Sequence, residues 1–223
     1  MSVAAGATGP LDLALVIFDL DDVLAALDRP RRLRWLAEAT GKPPEHFDAT
    51  IWHSDFEPGA EAGGWPTGAA YLAEFNRRSG CALTREQWIQ ARRQAMTLDR
   101  DTLAIALELR RRTRIALLTN NGALLKEGLP ELAPEVWAVF GEGCHGSFEF
   151  QARKPEPRVY LRLLARYGVA PAQALMIDDG PGNVQGARNA GLHALLFRGA
   201  TGLREDLAAL GLGPGPVQGP PAP

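Results

Sequence analysis

The chain has 223 residues, 46% of them hydrophobic, and a formal net charge of −2. That length supports one hydrophobic core plus an insert or small second domain, and the near-neutral balance gives no electrostatic case for nucleic acid as a partner. Cys81 and Cys144 make neither a disulfide framework nor a zinc pattern. With no run long enough to span a bilayer and no basic stretch ahead of an apolar core, no membrane partner is expected and a reducing cytoplasm is the expected location.

Residues 1–10 are small and Gly-containing and are expected to be loose. Leu15-Val16-Ile17-Phe18 is a short apolar run without a polar face, which predicts a strand buried in a parallel sheet. It ends abruptly in Asp19, with Asp21 and Asp22 close behind. The next eighty-odd residues read as helical. Asp28 caps a helix with Pro30 at its start, and Gly41 with Pro43 and Pro44 stops it. Phe47 and Ile51, four apart, predict a short second helix. The Gly-rich stretch Glu57 to Gly68 predicts a loop carrying Trp65, a loop that could close over a neighbouring crevice. Thr67 opens a helix that ends at Gly80, and Thr84 with Gln87 forms a capping-box pattern for another. Asp101 to Arg112 is the last helix of the block.

Strand and helix then alternate. Arg114 to Leu118 is a second buried strand, ending in Thr119-Asn120-Asn121-Gly122. Leu132 to Phe140 is expected to be helical, and Ser147 to Phe150 a short strand. Arg153-Lys154-Pro155 opens a helix closed by Gly168. Ala174 to Ile177 is a third buried strand that runs into Asp178-Asp179. A short helix from Asn183 to Ala190, a strand from His193 to Phe197 and a helix from Thr201 to Leu210 follow. From Gly211 the chain is Gly and Pro with little to bury, so a disordered tail is expected.

Alternation of this kind implies an α/β fold, a doubly wound parallel sheet covered on both faces, with its ligand beyond the carboxyl ends of the strands. Asp19, Thr119 and Asp178-Asp179 each follow a predicted strand and therefore face one crevice, with Lys154 on a loop within reach. Clustered carboxylates repel unless a cation joins them. Oxygen ligands without His or Cys favour Mg²⁺, and such an ion beside a Lys and a Thr hydroxyl makes a receptor for a phosphoryl group.

Asp19-Leu20-Asp21-Asp22-Val23, Leu118-Thr119-Asn120, Arg153-Lys154-Pro155-Glu156 and Ile177-Asp178-Asp179 through Asn183 resemble, in order, the four motifs of the haloacid dehalogenase superfamily. The resemblance spans roughly residues 13–200. It implies a Rossmann-like catalytic core (11–25 and 101–212), an inserted α-helical cap (26–100) and flexible termini (1–10 and 213–223). Within the superfamily the chain looks most like the small capped phosphatases that include glucose-1-phosphate phosphatases. The implied activity is Mg²⁺-dependent hydrolysis of a small phosphorylated metabolite through an aspartyl-phosphate. Asp19 resembles the nucleophile and Asp21 the general acid and base. Thr119, Lys154 and the backbone amides near Leu20 and Asn120 resemble the phosphoryl holders. Asp19, the Asp21 carbonyl and Asp179 resemble the metal ligands, with Asp178 a ligand or a neighbour of one. An acid at Asp21 favours phosphate chemistry, since the superfamily's haloalkanoate dehalogenases lack it. Asp22 stands where many relatives carry Gly, in a turn that Asp tolerates. Asn183 replaces an Asp and is expected to tune the metal.

A phosphosugar mutase using the same intermediate, and a silent metabolite- or partner-binding relative, are the alternatives. Other short patterns take plainer readings. Neither His53-Ser54-Asp55 nor Cys144-His145 gains triad or dyad geometry from adjacency. Gly180, Gly182 and Gly186 lack dinucleotide spacing. Arg110 to Arg112 suit a solvated helix end, and Trp52, Trp65 and Trp88 suit the core or interface of the helical block.

Overall fold

The structure, a computed structural model, describes residues 12–213. The flexible termini expected at 1–10 and 213–223 therefore lie, but for Gly213, outside the described residues. Five strands form one parallel sheet in the order β5-β4-β1-β6-β7: β1 Leu15–Phe18, β4 Arg114–Thr119, β5 Cys144–Gly146, β6 Ala174–Asp178 and β7 His193–Leu196. The central strand β1 is buried along its whole length, as its unbroken apolar run requires. Its alternation sends Val16 and Phe18 to one face and Leu15 and Ile17 to the other. The second face packs Ala116, Leu118 and Met176 under Val159, Tyr160 and Leu163 of a helix at Pro157–Tyr167. Each buried side chain of this size contributes roughly 1.5–3 kcal/mol, so both faces must be covered for the sheet to persist.

Register places the site. Phe18 lies opposite Leu117 on one side and Ile177 on the other, so the next residue, Asp19, falls level with Leu118 and Asp178. The Asp19 amide continues the ladder by donating to Ile177 O at 3.0 Å. Three polar strand ends thus open on one edge.

Two three-residue strands, β2 Ala25–Leu27 and β3 Met96–Leu98, pair antiparallel. The helical segment between them therefore leaves and re-enters the chain at one place. Its helices include Arg29–Thr40 (α1), Pro44–Phe47 (α2), Phe56–Glu61 (α3), Gly68–Ser79 (α4) and Arg85–Ala95 (α5). The predicted caps form: Asp28 accepts from Arg31 N, Gly41 takes a left-handed φ of 73°, and Thr84 with Gln87 makes both bonds of the capping box. Phe47, Phe56, Tyr71 and Phe75 make the segment's aromatic core, with Phe56 and Tyr71 ring centroids 4.9 Å apart.

Several expectations are corrected. Part of the stretch 57–68 is helical, because Phe56 and Ala60 bury one face of a short helix. Trp65 folds back on Phe56, ring centroids 5.0 Å apart, and a Cβ at Gly59 would crowd the Trp65 ring at 3.1 Å. Trp65 thus belongs to the core of the helical segment, as expected, and its loop is held by that packing. Ser147–Phe150 is a tight helical turn, and the edge strand lies just before it at Cys144–Gly146. The helix expected at Leu132 to Phe140 forms at Pro134–Phe140, and the sequence reading missed only the helix before it, Ala123–Leu132, which forms despite Gly128 and Pro130. Among the described residues no helix is long and apolar enough to cross a membrane.

Candidate active site

Asp19, Lys154 and Asp178 meet at the strand ends. The Lys154 ammonium, 1% exposed, lies 2.8 Å from Asp19 Oδ2 and 2.6 Å from Asp178 Oδ2. Burial opposes a charge on Lys154, but Asp19 and Asp178 outweigh it and hold the ammonium above its usual range. Burial pushes the Asp19 carboxyl up to about 7 against the pull of Lys154, with Asp178 and Asp21 adding to the rise. Its Oδ1 accepts from Leu20 N at 2.7 Å. Asp178 uses both oxygens: Oδ2 takes Lys154, and Oδ1 takes Gly180 N and Asn183 Nδ2, each at 2.9 Å. The Asn183 amide therefore orients Asp178.

Lys154 is placed by its backbone. Asn120 Nδ2 donates to Lys154 O at 2.8 Å, and Lys154 N donates to Asn120 Oδ1 at 2.9 Å. This reciprocal pair pins the Lys154 loop to the end of β4. Behind the loop, a helix at Pro181–Asn189 approaches through Gly186, where a Cβ would stand 2.2 Å from Pro155 O.

Asp21 faces the other way, toward the helical segment. Its carboxylate pairs with Arg92 of α5 and accepts from Asn121 Nδ2 at 3.1 Å; Asn121 also donates to Thr119 Oγ1 at 2.8 Å. Asp22 sits at φ 59°, so the left-handed turn forms without glycine, and its Oδ1 accepts from Leu27 N at 3.1 Å. Asp179 is exposed as a residue, but partial desolvation of its carboxyl, followed by the charge of Asp178, raises its pKa.

The donor set fits a hard divalent cation. Carboxylate oxygens of Asp19, Asp178 and Asp179 lie within 4.8 Å of one another, and no His or thiol belongs to the group. Ionising three carboxylates so close together needs more positive charge than one lysine supplies.

Beside Asp21 a cavity of about 230 Å³ runs between the strand ends and the helical segment. Its wall includes Asn120, Asn121, Arg29, Arg32, Trp52, Glu57, Glu61, Tyr71, Trp88, Arg92 and Arg153. None of those from the helical segment stood out as chemistry in the sequence. Arg32 and Arg92 carried one faint sign: each takes a buried position on its helix, with Leu36 and with Trp88 and Ala95. The plainer readings of other patterns hold. Ser54 and Asp55 turn to Ile51 O and Arg78, while exposed His53 pairs with Asp48. Burial pushes the Cys144 thiol up to about 12, and His145 bonds Tyr167 instead.

A model of haloacid dehalogenase-like hydrolases matches residues 13–191. The chain belongs to that family. This haloacid dehalogenase-like hydrolase is 30% identical over 223 aligned residues to a phosphatase of Mycobacterium tuberculosis, covering 90% of this chain and 96% of that one. It is 37% identical over 142 residues to a phosphoserine phosphatase of Thermus thermophilus, covering 60% of this chain. It spans about half the length of that relative, 49%. A solved family enzyme from Bacteroides thetaiotaomicron, in complex with magnesium and inorganic phosphate, superposes with a TM-score of 0.67 at 20% identity. The superposition covers 84% of this chain and 95% of that one, and establishes the shared fold.

Proposed function

We propose that this hydrolase is a Mg²⁺-dependent phosphatase of a small phosphorylated metabolite, working through an aspartyl-phosphate on Asp19. The observation that carries the reading is the buried Lys154 ammonium bridging Asp19 and Asp178 at the strand ends. A phosphatase relative covered over almost its whole length supports it. The helical segment between β2 and β3 serves as a cap, as in the small capped phosphatases, with residues 11–25 and 101–212 as the catalytic core. A cytoplasmic location belongs to the reading, and the two free thiols suit it.

In the first step a carboxylate oxygen of Asp19 attacks phosphorus, and the bond from phosphorus to the ester oxygen breaks. Asp21, placed between Arg92 and Asn121, gives its proton to the departing oxygen. In the second step Asp21 takes a proton from water, whose oxygen attacks phosphorus and releases Asp19. Lys154, the Thr119 hydroxyl and the backbone amides near Leu20 and Asn120 hold the phosphoryl oxygens. Asp19, Asp179 and the Asp21 carbonyl would hold Mg²⁺, which supplies positive charge for the phosphoryl oxygens. Asp178 orients both the lysine and this ligand set.

The test is phosphate release from p-nitrophenyl phosphate and glucose 1-phosphate, with and without Mg²⁺, by the wild type and Asp19→Asn. Release that requires both Mg²⁺ and Asp19 supports the reading. Release that survives the substitution sinks it.

A further inference from the structure

Arg32 is 5% exposed and lines the cavity, yet its Nε and Nη2 find no acceptor among the described residues. Its guanidinium sits between two indoles, 5.1 Å from the Trp52 ring centroid and 4.7 Å from that of Trp88. Those faces attract the cation but satisfy none of its N–H groups. Arg92, 1% exposed, also leaves its Nε without an acceptor, although its Nη2 reaches Asp21. Burial and the neighbouring charge of Arg92 bring Arg32 down to about 10. A charged group in such a place is expensive unless something accepts its hydrogen bonds.

The acids on the same wall do not fill that role. Tyr71 donates to Glu57 at 2.7 Å, and Glu61 lies 2.6 Å from Arg153. Four guanidinium groups, Arg29, Arg32, Arg92 and Arg153, face three carboxylates, Asp21, Glu57 and Glu61. Burial raises the pKa of Glu57 and pushes Glu61 up to about 7, which tilts the balance further toward positive charge.

We infer that the unpaired guanidinium of Arg32, with Arg92 beside it, receives a carboxylate on the leaving-group side of the substrate, making the substrate a small phosphorylated carboxylic acid. The inference rests on the phosphatase reading and deepens it. Arg92 bridges the two ends: it holds Asp21, the proposed acid for the leaving oxygen, and it adjoins Arg32. The anion therefore sits a few bonds from the scissile oxygen. A planar carboxylate matches the fork of one guanidinium.

Two matched pairs test this in the full-length protein with Mg²⁺: 3-phosphoglycerate against glycerol 3-phosphate, and 2-phosphoglycolate against 2-hydroxyethyl phosphate. Each pair exchanges a carboxylate for a neutral hydroxyl-bearing carbon. In at least one pair the acid is expected to be favoured about 10- to 100-fold in kcat/KM. Arg32→Met is expected to bring that ratio near one and to raise the melting temperature, since a buried charge without acceptors is removed. Arg32→Lys is expected to restore part of the ratio. Wild-type ratios near one in both pairs, with p-nitrophenyl phosphate still hydrolysed, overturn the inference and leave the phosphatase reading standing. A preference for fructose 1,6-bisphosphate over fructose 6-phosphate without any carboxylate preference overturns it too. An unchanged ratio with a lowered melting temperature in Arg32→Met would assign Arg32 to packing alone. If no ester is hydrolysed, the phosphatase reading itself fails. Thermal shift of Asp19→Asn by the same pairs then still decides whether the carboxylate binds.

Discussion

Replacing Lys154 with methionine keeps most of the side-chain volume and removes its charge. In the wild type the ammonium is 1% exposed and lies 2.8 Å from Asp19 and 2.6 Å from Asp178. Its loss leaves two buried carboxylates facing each other, and removing one partner of a buried pair costs about 3–5 kcal/mol. Asp19 limits the damage at neutral pH, because a carboxyl already near 7 takes up a proton readily. The expected loss is therefore about 3 kcal/mol, the lower end of that range. Adding Asp178→Asn removes the second charge while keeping an acceptor for Gly180 N and Asn183 Nδ2. The double variant is expected to regain most of the loss, with a coupling of about 2–3 kcal/mol between the two sites. Urea unfolding of the wild type, both single variants and the pair measures this cycle, and phosphate release is followed in parallel. Stability should return in the double variant where activity does not. A loss below about 1 kcal/mol in Lys154→Met, or singles that simply add, would refute a bridging charge at the centre of the site.

Three further outcomes are expected. Asp21→Asn should slow alkyl phosphates by about 10²- to 10⁴-fold and p-nitrophenyl phosphate much less, because only the former need a proton on the leaving oxygen; equal losses on both would remove Asp21 from that role. Gly186→Ala gains about 1 kcal/mol of helix propensity, but its methyl would meet Pro155 O at 2.2 Å. The backbone oxygen cannot yield without moving the Lys154 loop, so a net loss of stability and activity is expected in unfolding and turnover assays, and a stabilised variant would contradict the packing. Burial raises Glu61 from 4.5 to about 7 in the folded protein, against the pull of Arg153. Because the folded-state value lies above the unfolded one, ionising Glu61 destabilises the fold progressively between those two pH values and no further above them. Glu61→Gln should therefore gain on the wild type across that window, by at most about 3 kcal/mol, and a pH-independent difference would count against the shift.

The sheet and its polar edge were legible because each part is local. An apolar run of four residues ending in Asp19 needs no knowledge of the remaining chain, nor does Ala174 to Ile177 ending in Asp178. Caps were legible for the same reason, as at Asp28 and Thr84. The antiparallel link of β2 to β3 was not, since two three-residue strands some seventy positions apart share no local signature. The cavity wall was hidden by helix charge. In Arg29-Pro30-Arg31-Arg32-Leu33-Arg34 the four-residue step from Arg32 to Leu36 is the one sign that separates buried Arg32 from its solvated neighbours, and only tertiary packing turns that sign into a cavity wall. Arg92 joins Asp21 across 71 positions, so the acid's partner could be read only from the fold.

Borohydride quenching of a steady-state reaction reduces an acyl phosphate to an alcohol, and peptide mass spectrometry then locates the residue that carried it. With a hydrolysed phosphate ester and Mg²⁺ present, the account predicts reduction at Asp19, abolished when the ester is omitted. A protein that turns over under the same conditions with Asp19 unreduced would contradict a phosphoryl group carried on that carboxylate.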